Sequence, residues 1–255
     1  MLSMKSVDTV KLSVNSKFRF RCHKEIKCFT RCCHNIQILL TPYDIIRLKN
    51  RLGLSSGEFL NNYTYIELED KSSHPFVFLR MLKDESRTCP FVYEGGCKIY
   101  NDRPANCRYY PVGQASLKKF DEKIDEIITE EFYFLVRETH CLGFNENKEW
   151  TIGEWREDQG VDIYDDMNRG WKEILFRRNL PGQVLDEKKQ KAFYLACYDI
   201  DRFKRFVFES KFLDVFDIDD KTIVKMRKDE TELMKFGFSY TKYLLMLENS
   251  LKLTK

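Results

Sequence analysis

The chain has 255 residues, of which 43% are hydrophobic, 14% aromatic and 33% charged, enough apolar material for a core beneath a charged surface. No apolar run approaches the roughly 18–20 residues of a membrane helix, and the opening MLSMKSVDTVKLSVNSKF lacks the apolar stretch of a secretory signal, so a cytoplasmic protein is expected. A net charge of +3 does not advertise a nucleic-acid partner.

In chain order, residues 1–21 read as a strand or irregular lead-in. Residues 22–33 read as a loop running into a short helix, with cysteines at 22, 28, 32 and 33. If that segment is helical, Cys28 and Cys32 share a face one turn apart, while Cys33 is rotated by about 100° from Cys32. Adjacent cysteines therefore do not readily grip one ion, and such a pair suits two sites or a ligand and a supporting group. Thr41 then caps a helix with Pro42 in its first position, running from Tyr43 to Leu52 and ending at Gly53. Ser55 or Ser56 caps another short turn through Phe59.

A β-hairpin follows, with one strand over Tyr63–Leu68, a polar turn at Asp70–Ser73 and a second strand over Phe76–Leu82. In C89-P-F-V-Y-E-G-G-C97, Gly95-Gly96 makes a tight turn that returns Cys97 towards Cys89. Asn101 or Asp102 can cap a short helix with Pro104 in its first turn. Cys107 then falls near that helix's end, where Arg103 and Arg108 favour thiolate over thiol. Residues 121–140 fit either a helix, through Ile124, Ile127 and Ile128, or a strand, through the FYFLV run. Cys141 closes the cysteine-rich part.

From about residue 151 the pattern becomes helical. Thr151 and Glu154 have capping-box spacing, Phe193, Cys197, Ile200 and Val207 recur at near-helical intervals within 186–210, and a last helix covers 229–249. Asp214, Asp217, Asp219 and Asp220 lack the glycine and distal glutamate of an EF-hand and read as a solvated turn. The predicted fold is α+β. A cysteine-rich metal-binding module with a β-hairpin and short helices covers 18–145, and a mainly helical extension covers 146–255 and packs on it.

Nine cysteines are many for a reducing compartment, and only Cys197 lies beyond Cys141. An odd count in a reducing environment disfavours a disulfide framework and leaves metal ligation as the leading reading of the other eight. Cys197 reads as a packed core thiol. Lys17, Arg19, Arg21, Lys24, Lys27 and Arg31 crowd the first cysteines. They suit compensation of thiolate charge better than phosphate binding, because no aromatic stacking platform is interleaved with them. Three of the four histidines, His23, His34 and His140, adjoin a cysteine, which keeps auxiliary ligation open. The spacings match neither bacterial ferredoxins nor zinc ribbons, and no dinucleotide loop, P-loop, H-E-x-x-H or nucleophile elbow is present.

The runs FRCHKEIKCFTRCC, CPFVYEGGCKIYNDRPANCRYYP and HCLGF resemble the CxxCxxCC (YkgJ-like) cysteine-cluster family over about residues 18–145. The first spacing, Cys22-x5-Cys28, is longer than the usual pattern. The resemblance implies a site built from Cys28, Cys32, Cys33, Cys89, Cys97, Cys107 and Cys141, with Cys22 joining, that holds an iron–sulfur cluster or Zn2+. Three functions follow as expectations. The first is a cysteine-ligated protein of redox or electron transfer with a protein or redox partner. The second is an iron–sulfur enzyme modifying a protein side chain, since some flagellin lysine methylases resemble this module. The third is a zinc-stabilised interaction module. The oligomeric state is not encoded in any of these patterns.

Overall fold

The structure, a computed structural model, describes residues 7–8, 10–121, 126–177 and 184–254. The elements of the first half are β1 (Lys17–Arg19), β2 (Leu39–Leu40), α1 (Pro42–Leu52), α2 (Ser56–Tyr63), β3 (Thr64–Leu68), β4 (Pro75–Leu79), β5 (Val92–Tyr93), β6 (Gly96–Cys97) and α3 (Ala105–Tyr109). The long strands β7 (Val112–Asp121) and β8 (Glu126–Leu135) and the short β9 (Glu149–Thr151) follow. The rest is helical: α4 (Ile152–Gln159), α5 (Asp162–Met167), α6 (Arg169–Arg177), α7 (Glu187–Cys197), α8 (Ile200–Glu209), α9 (Phe212–Val215), α10 (Asp220–Lys228) and α11 (Glu230–Leu244). Small antiparallel sheets alongside many helices make the fold α+β.

These elements form two compact units that are interleaved along the chain. One gathers residues 1–37, 81–100 and 106–162, and the other gathers 38–80, 101–105 and 163–255. The first unit contains all eight clustered cysteines. Its frame is the β7–β8 hairpin, whose Val112 pairs with Leu135, and a two-stranded pairing of β1 with β9 in which Phe18 faces Trp150. The segment that sequence left between helix and strand is therefore strand over 126–135, with its FYFLV run joined to β7 by a continuous ladder. Ile124 lies outside the described residues. Phe18, Phe20, Tyr109, Val112, Leu135, Ile152 and Trp155 form the apolar core between these strands and α4. The Trp155 indole donates to the Tyr109 carbonyl at 3.0 Å and the Trp150 indole to the Phe20 carbonyl at 2.9 Å, so both buried N–H groups are satisfied. Thr151 and Glu154 form the expected capping box on α4.

In the second unit β2, β4 and β3 make a three-stranded sheet in that order, with the predicted hairpin running antiparallel from Thr64↔Leu79 to Leu68↔Pro75. The N-terminal helices have the caps the sequence implies. Thr41 and Asp44 form a capping box on α1 with Pro42 in its first position, and Ser55 and Glu58 do the same on α2. α2 continues to Tyr63, past the expected stop at Phe59, so β3 begins one residue later than predicted. The C-terminal run does not form one helix over 186–210. α7 stops at Cys197, and Asp199 caps α8 by accepting from the Arg202 N–H. All four residues at helical spacing are nevertheless buried: Phe193, Cys197, Ile200 and Val207. α11 packs closely on α7. A Cβ at Gly237 would come within 2.3 Å of the Ala196 carbonyl oxygen, so only glycine fits this contact. In the acidic loop Asp219 has a structural role, capping α10 by accepting from the N–H and hydroxyl of Thr222.

Candidate metal centre

The first cysteine segment is the expected loop running into a short helix, but the helix spans only three residues. Residues 24–30 form successive turns, and only Arg31–Cys33 winds as a 3-10 turn. Thr30 sits in the left-handed region at φ 64°, which interrupts any helix linking Cys28 to Cys32. The one-turn pairing of these two thiols on a helix face is therefore replaced by a turn geometry. The two residues still share neighbours, because Cys141 lies within electrostatic reach of both. Cys28 is also fixed from that side, where its sulfur accepts from the Leu142 N–H at 3.2 Å.

The second segment follows the sequence reading closely. β5 and β6 form a hairpin with Val92 opposite Cys97, and Gly96 at φ 121° makes the turn in a conformation that L side chains rarely adopt. The Val92 N–H bonds to the Cys89 carbonyl at 3.1 Å, folding Cys89 under the hairpin, and the Cys89 and Cys97 thiols interact. The hairpin is stitched to the first segment through the main chain. The Cys89 N–H donates to the Cys33 carbonyl at 2.8 Å, and His34 bridges antiparallel to Thr88, with its Nδ1 3.1 Å from the Thr88 hydroxyl. Cys107 lies at the centre of α3, with Pro104 just before it rather than inside its first turn. The Arg108 guanidinium donates to the Gln159 carbonyl at 2.8 Å, which ties α3 to the end of α4.

All eight predicted cysteines fall within one unit. Cys22 interacts with Cys28, Cys32 and Cys141, and Cys33 interacts with Cys32, Cys89 and Cys107. None of the nine cysteines is joined in a disulfide. Burial and the neighbouring thiols push Cys22 and Cys89 up to about 11, and burial raises Cys141. The Cys33 S–H donates to the Cys32 sulfur, which holds Cys32 below the usual thiol value and raises Cys33. Among the described residues, no three Cys, His, Asp or Glu side chains stand close enough to form a ready-made ion cage. The donor set nonetheless fits a thiophilic metal in kind, because its ligands are soft sulfur atoms.

Two groups sharpen the site beyond the cysteines. Tyr110 was not singled out by sequence. Its hydroxyl is buried without a hydrogen-bond partner, and burial raises it far above the usual phenol value. Its only sequence signal is its place in the R-Y-Y-P run after Cys107. His140 and His23 each have a buried Nε2 without a hydrogen-bond partner, while the His23 Nδ1 lies 2.9 Å from the Glu25 carboxylate. Cys197 lies in the other unit, fully enclosed, with its sulfur 3.7 Å from the Thr241 hydroxyl. Lys17, Arg19, Arg21, Lys24, Lys27 and Arg31 are all exposed.

Residues 21–142, just under half of the chain, match the model of the CxxCxxCC family, described as "Putative zinc- or iron-chelating domain". The cysteine segment is similar to the CxxCxxCC domain. No curated protein and no solved structure matches the chain. The CxxCxxCC segment begins just before Cys22 and ends just after Cys141, so its limits coincide with those of the eight-thiol cluster. Among the described residues no helix is long and apolar enough to cross a membrane.

Proposed function

We propose that the CxxCxxCC domain holds zinc or iron through Cys22, Cys28, Cys32, Cys33, Cys89, Cys97, Cys107 and Cys141, and that the protein acts in redox or electron transfer when the metal is an iron–sulfur cluster. The observation that supports this reading is that eight cysteines from three separate stretches of chain, none in a disulfide, fall within one compact unit. A bound cluster would supply one-electron chemistry, and bound zinc would supply a fixed cross-link between the turns. The chain's own contribution is positional. Leu142 N–H orients Cys28, and the Cys33–Cys89 main-chain bond sets the hairpin against the 3-10 turn. His140, with its unpartnered ring nitrogen, is available as an auxiliary ligand or as a donor to a ligand. Free thiols in this number belong in a reducing compartment, which supports a cytoplasmic setting.

A second reading, an iron–sulfur enzyme acting on a protein side chain, requires a place to receive a substrate. The observation in its favour is a groove of about 710 Å³ in the helical unit, lined by Ile66, Leu68, Tyr194, Phe206 and Tyr240. Either reading is tested by substitution. Cys28→Ser or Cys107→Ser lowers the metal content of the purified chain, whereas Cys197→Ser leaves it unchanged. Unaltered metal in the first two variants defeats the ligand assignment.

A further inference from the structure

The three-stranded sheet of the helical unit has an open side. Its order β2–β4–β3 leaves β3 at the edge, paired with β4 alone. The ladder bonds fix which main-chain groups face outward. The Arg80 N–H donates to the Tyr63 carbonyl at 2.7 Å and the Glu69 N–H to the His74 carbonyl at 2.9 Å. Bonded positions alternate in an antiparallel pair, so Tyr65 and Glu67 bond to β4 while Thr64, Ile66 and Leu68 turn their N–H and C=O groups away from it. β4 obeys the same alternation: the Leu79 N–H, opposite Thr64, points the other way and donates to the Ile38 carbonyl. The Thr64 carbonyl is taken by the Arg80 guanidinium. The outward main-chain groups of Ile66 and Leu68 have no partner among the described residues. Both residues are exposed, at 48% and 51%.

Ile66 and Leu68 also form one wall of the groove of about 710 Å³, whose lining continues through Pro75, Tyr194, Phe206 and Tyr240. Its rim comes from α7 and α8, which set Lys188, Lys191 and Arg202 against the single carboxylate of Asp199. Asp199 is already engaged, accepting from the Ser56 hydroxyl at 2.6 Å, and Lys191 pairs with Glu187 at the surface. Lys188 and Arg202 are exposed and have no ion-pair partner among the described residues. We propose that β3 and this groove bind an extended acidic peptide segment of a partner protein. The segment adds to the sheet as a strand beside β3, sets alternate apolar side chains into the groove and places its carboxylates against Lys188 and Arg202. Strand addition draws affinity from main-chain bonds and selectivity from the places that receive alternate side chains. An unpaired edge with exposed aliphatic side chains is otherwise a template for uncontrolled association. A second copy of this chain is the poorer occupant, because its β3 edge would bring the same cations against each other. An enzyme acting on a protein side chain would use such a surface, and the strand and groove are the same whatever the cysteines hold.

The test uses the full chain and fluorescein-labelled peptides that alternate Glu with Val, Leu, Phe or Tyr, read by fluorescence anisotropy. At least one is expected to bind saturably, to weaken as salt is raised, and to bind about tenfold more weakly when Lys replaces Glu. Ile66→Pro removes only an outward N–H, which an edge strand tolerates, and is expected to abolish binding. The surface variant Lys188→Glu/Arg202→Glu is expected to shift the preference towards the Lys peptides, and it decides if Ile66→Pro does not fold. No saturable binding by any peptide, equal binding of the Lys series, or unchanged binding in either folded variant overturns the proposal. A dimer of the free chain that Ile66→Pro dissociates assigns the edge to a second copy and also overturns it. Metal is measured on the same samples. A chain that binds peptide but holds no metal defeats the thiol reading and leaves the groove assignment standing, so the two failures are distinguishable.

Discussion

The two units of this molecule are held together by different means. In the helical unit α11 alone buries Leu233, Met234, Phe236, Phe238 and Thr241, and α7 and α8 add Phe193, Ala196, Phe203 and Val207, a continuous apolar core between capped helices. The cysteine-bearing stretches have almost none of this. Between residues 21 and 37 the one buried side chain is Ile26, and between 81 and 100 the buried side chains are Met81, Cys89, Phe91 and Ile99. Regular structure there amounts to a 3-10 turn and two strands of two residues. Apolar burial contributes on the order of 25 cal/mol per Å², so the helical unit can hold itself while these turns cannot. What the turns have instead is sulfur. The contrast teaches that the clustered cysteines lie where apolar packing is sparsest.

The largest effect should follow from metal removal. Structural thiolate sites contribute on the order of 10 kcal/mol of apparent folding energy. Chelator under reducing conditions should therefore release amide protection in residues 21–37 and 81–100 while α7, α8 and α11 remain protected. Hydrogen exchange followed by mass spectrometry checks this, and simultaneous loss in both regions would erase the distinction. Next in size is Phe203→Ala, which removes a fully buried ring stacked near Phe206, Phe236 and Tyr240. It should cost about 3–5 kcal/mol in denaturant unfolding without changing metal content. Gly237→Ala presses a methyl group against the Ala196 carbonyl and should cost about 1–3 kcal/mol in the same measurement. Asp219→Ala removes the cap on α10 and should cost about 1 kcal/mol.

The smallest effect concerns Cys197, whose thiol burial pushes up to about 12. A thiol raised in the folded state favours folding below its unfolded value, near 8.5, and that contribution fades as pH rises from there towards 12. Native protein should therefore resist iodoacetamide at Cys197 near pH 8. Rapid labelling of that residue, read by peptide mass mapping, would show that the helical core is open.

Much of this contrast was legible in the residue order. Thr41-Pro42 with Asp44, Ser55 with Glu58, and Thr151 with Glu154 each announce a helix start, because the side chains that satisfy the first N–H groups are local. Gly95-Gly96 likewise foretold the return of Cys97, since the turn needs a positive φ at Gly96. The failures arise where distant partners decide. Thr30 in the left-handed region leaves no mark in F-T-R-C-C, and it confines the short helix there to Arg31–Cys33, so Cys28 and Cys32 do not share a helix. The strand over 126–135 is decided by its ladder with 112–121 and not by its own ambiguous period. Asp199 ends the helical run at 198 by capping the next helix, a signal hidden among many acidic residues. Tyr110 at Cys141 is a contact across 31 positions of sequence that no spacing rule reaches.

The measurement that bears most directly on the central claim is metal analysis of the full chain purified without oxygen, with iron, zinc and sulfide determined on the same sample as its absorption spectrum. The account predicts stoichiometric thiolate-bound metal: a brown protein absorbing near about 400 nm if it carries an iron–sulfur cluster, or a colourless one containing zinc. A folded chain with neither metal, and with all eight clustered thiols open to alkylation, would contradict it.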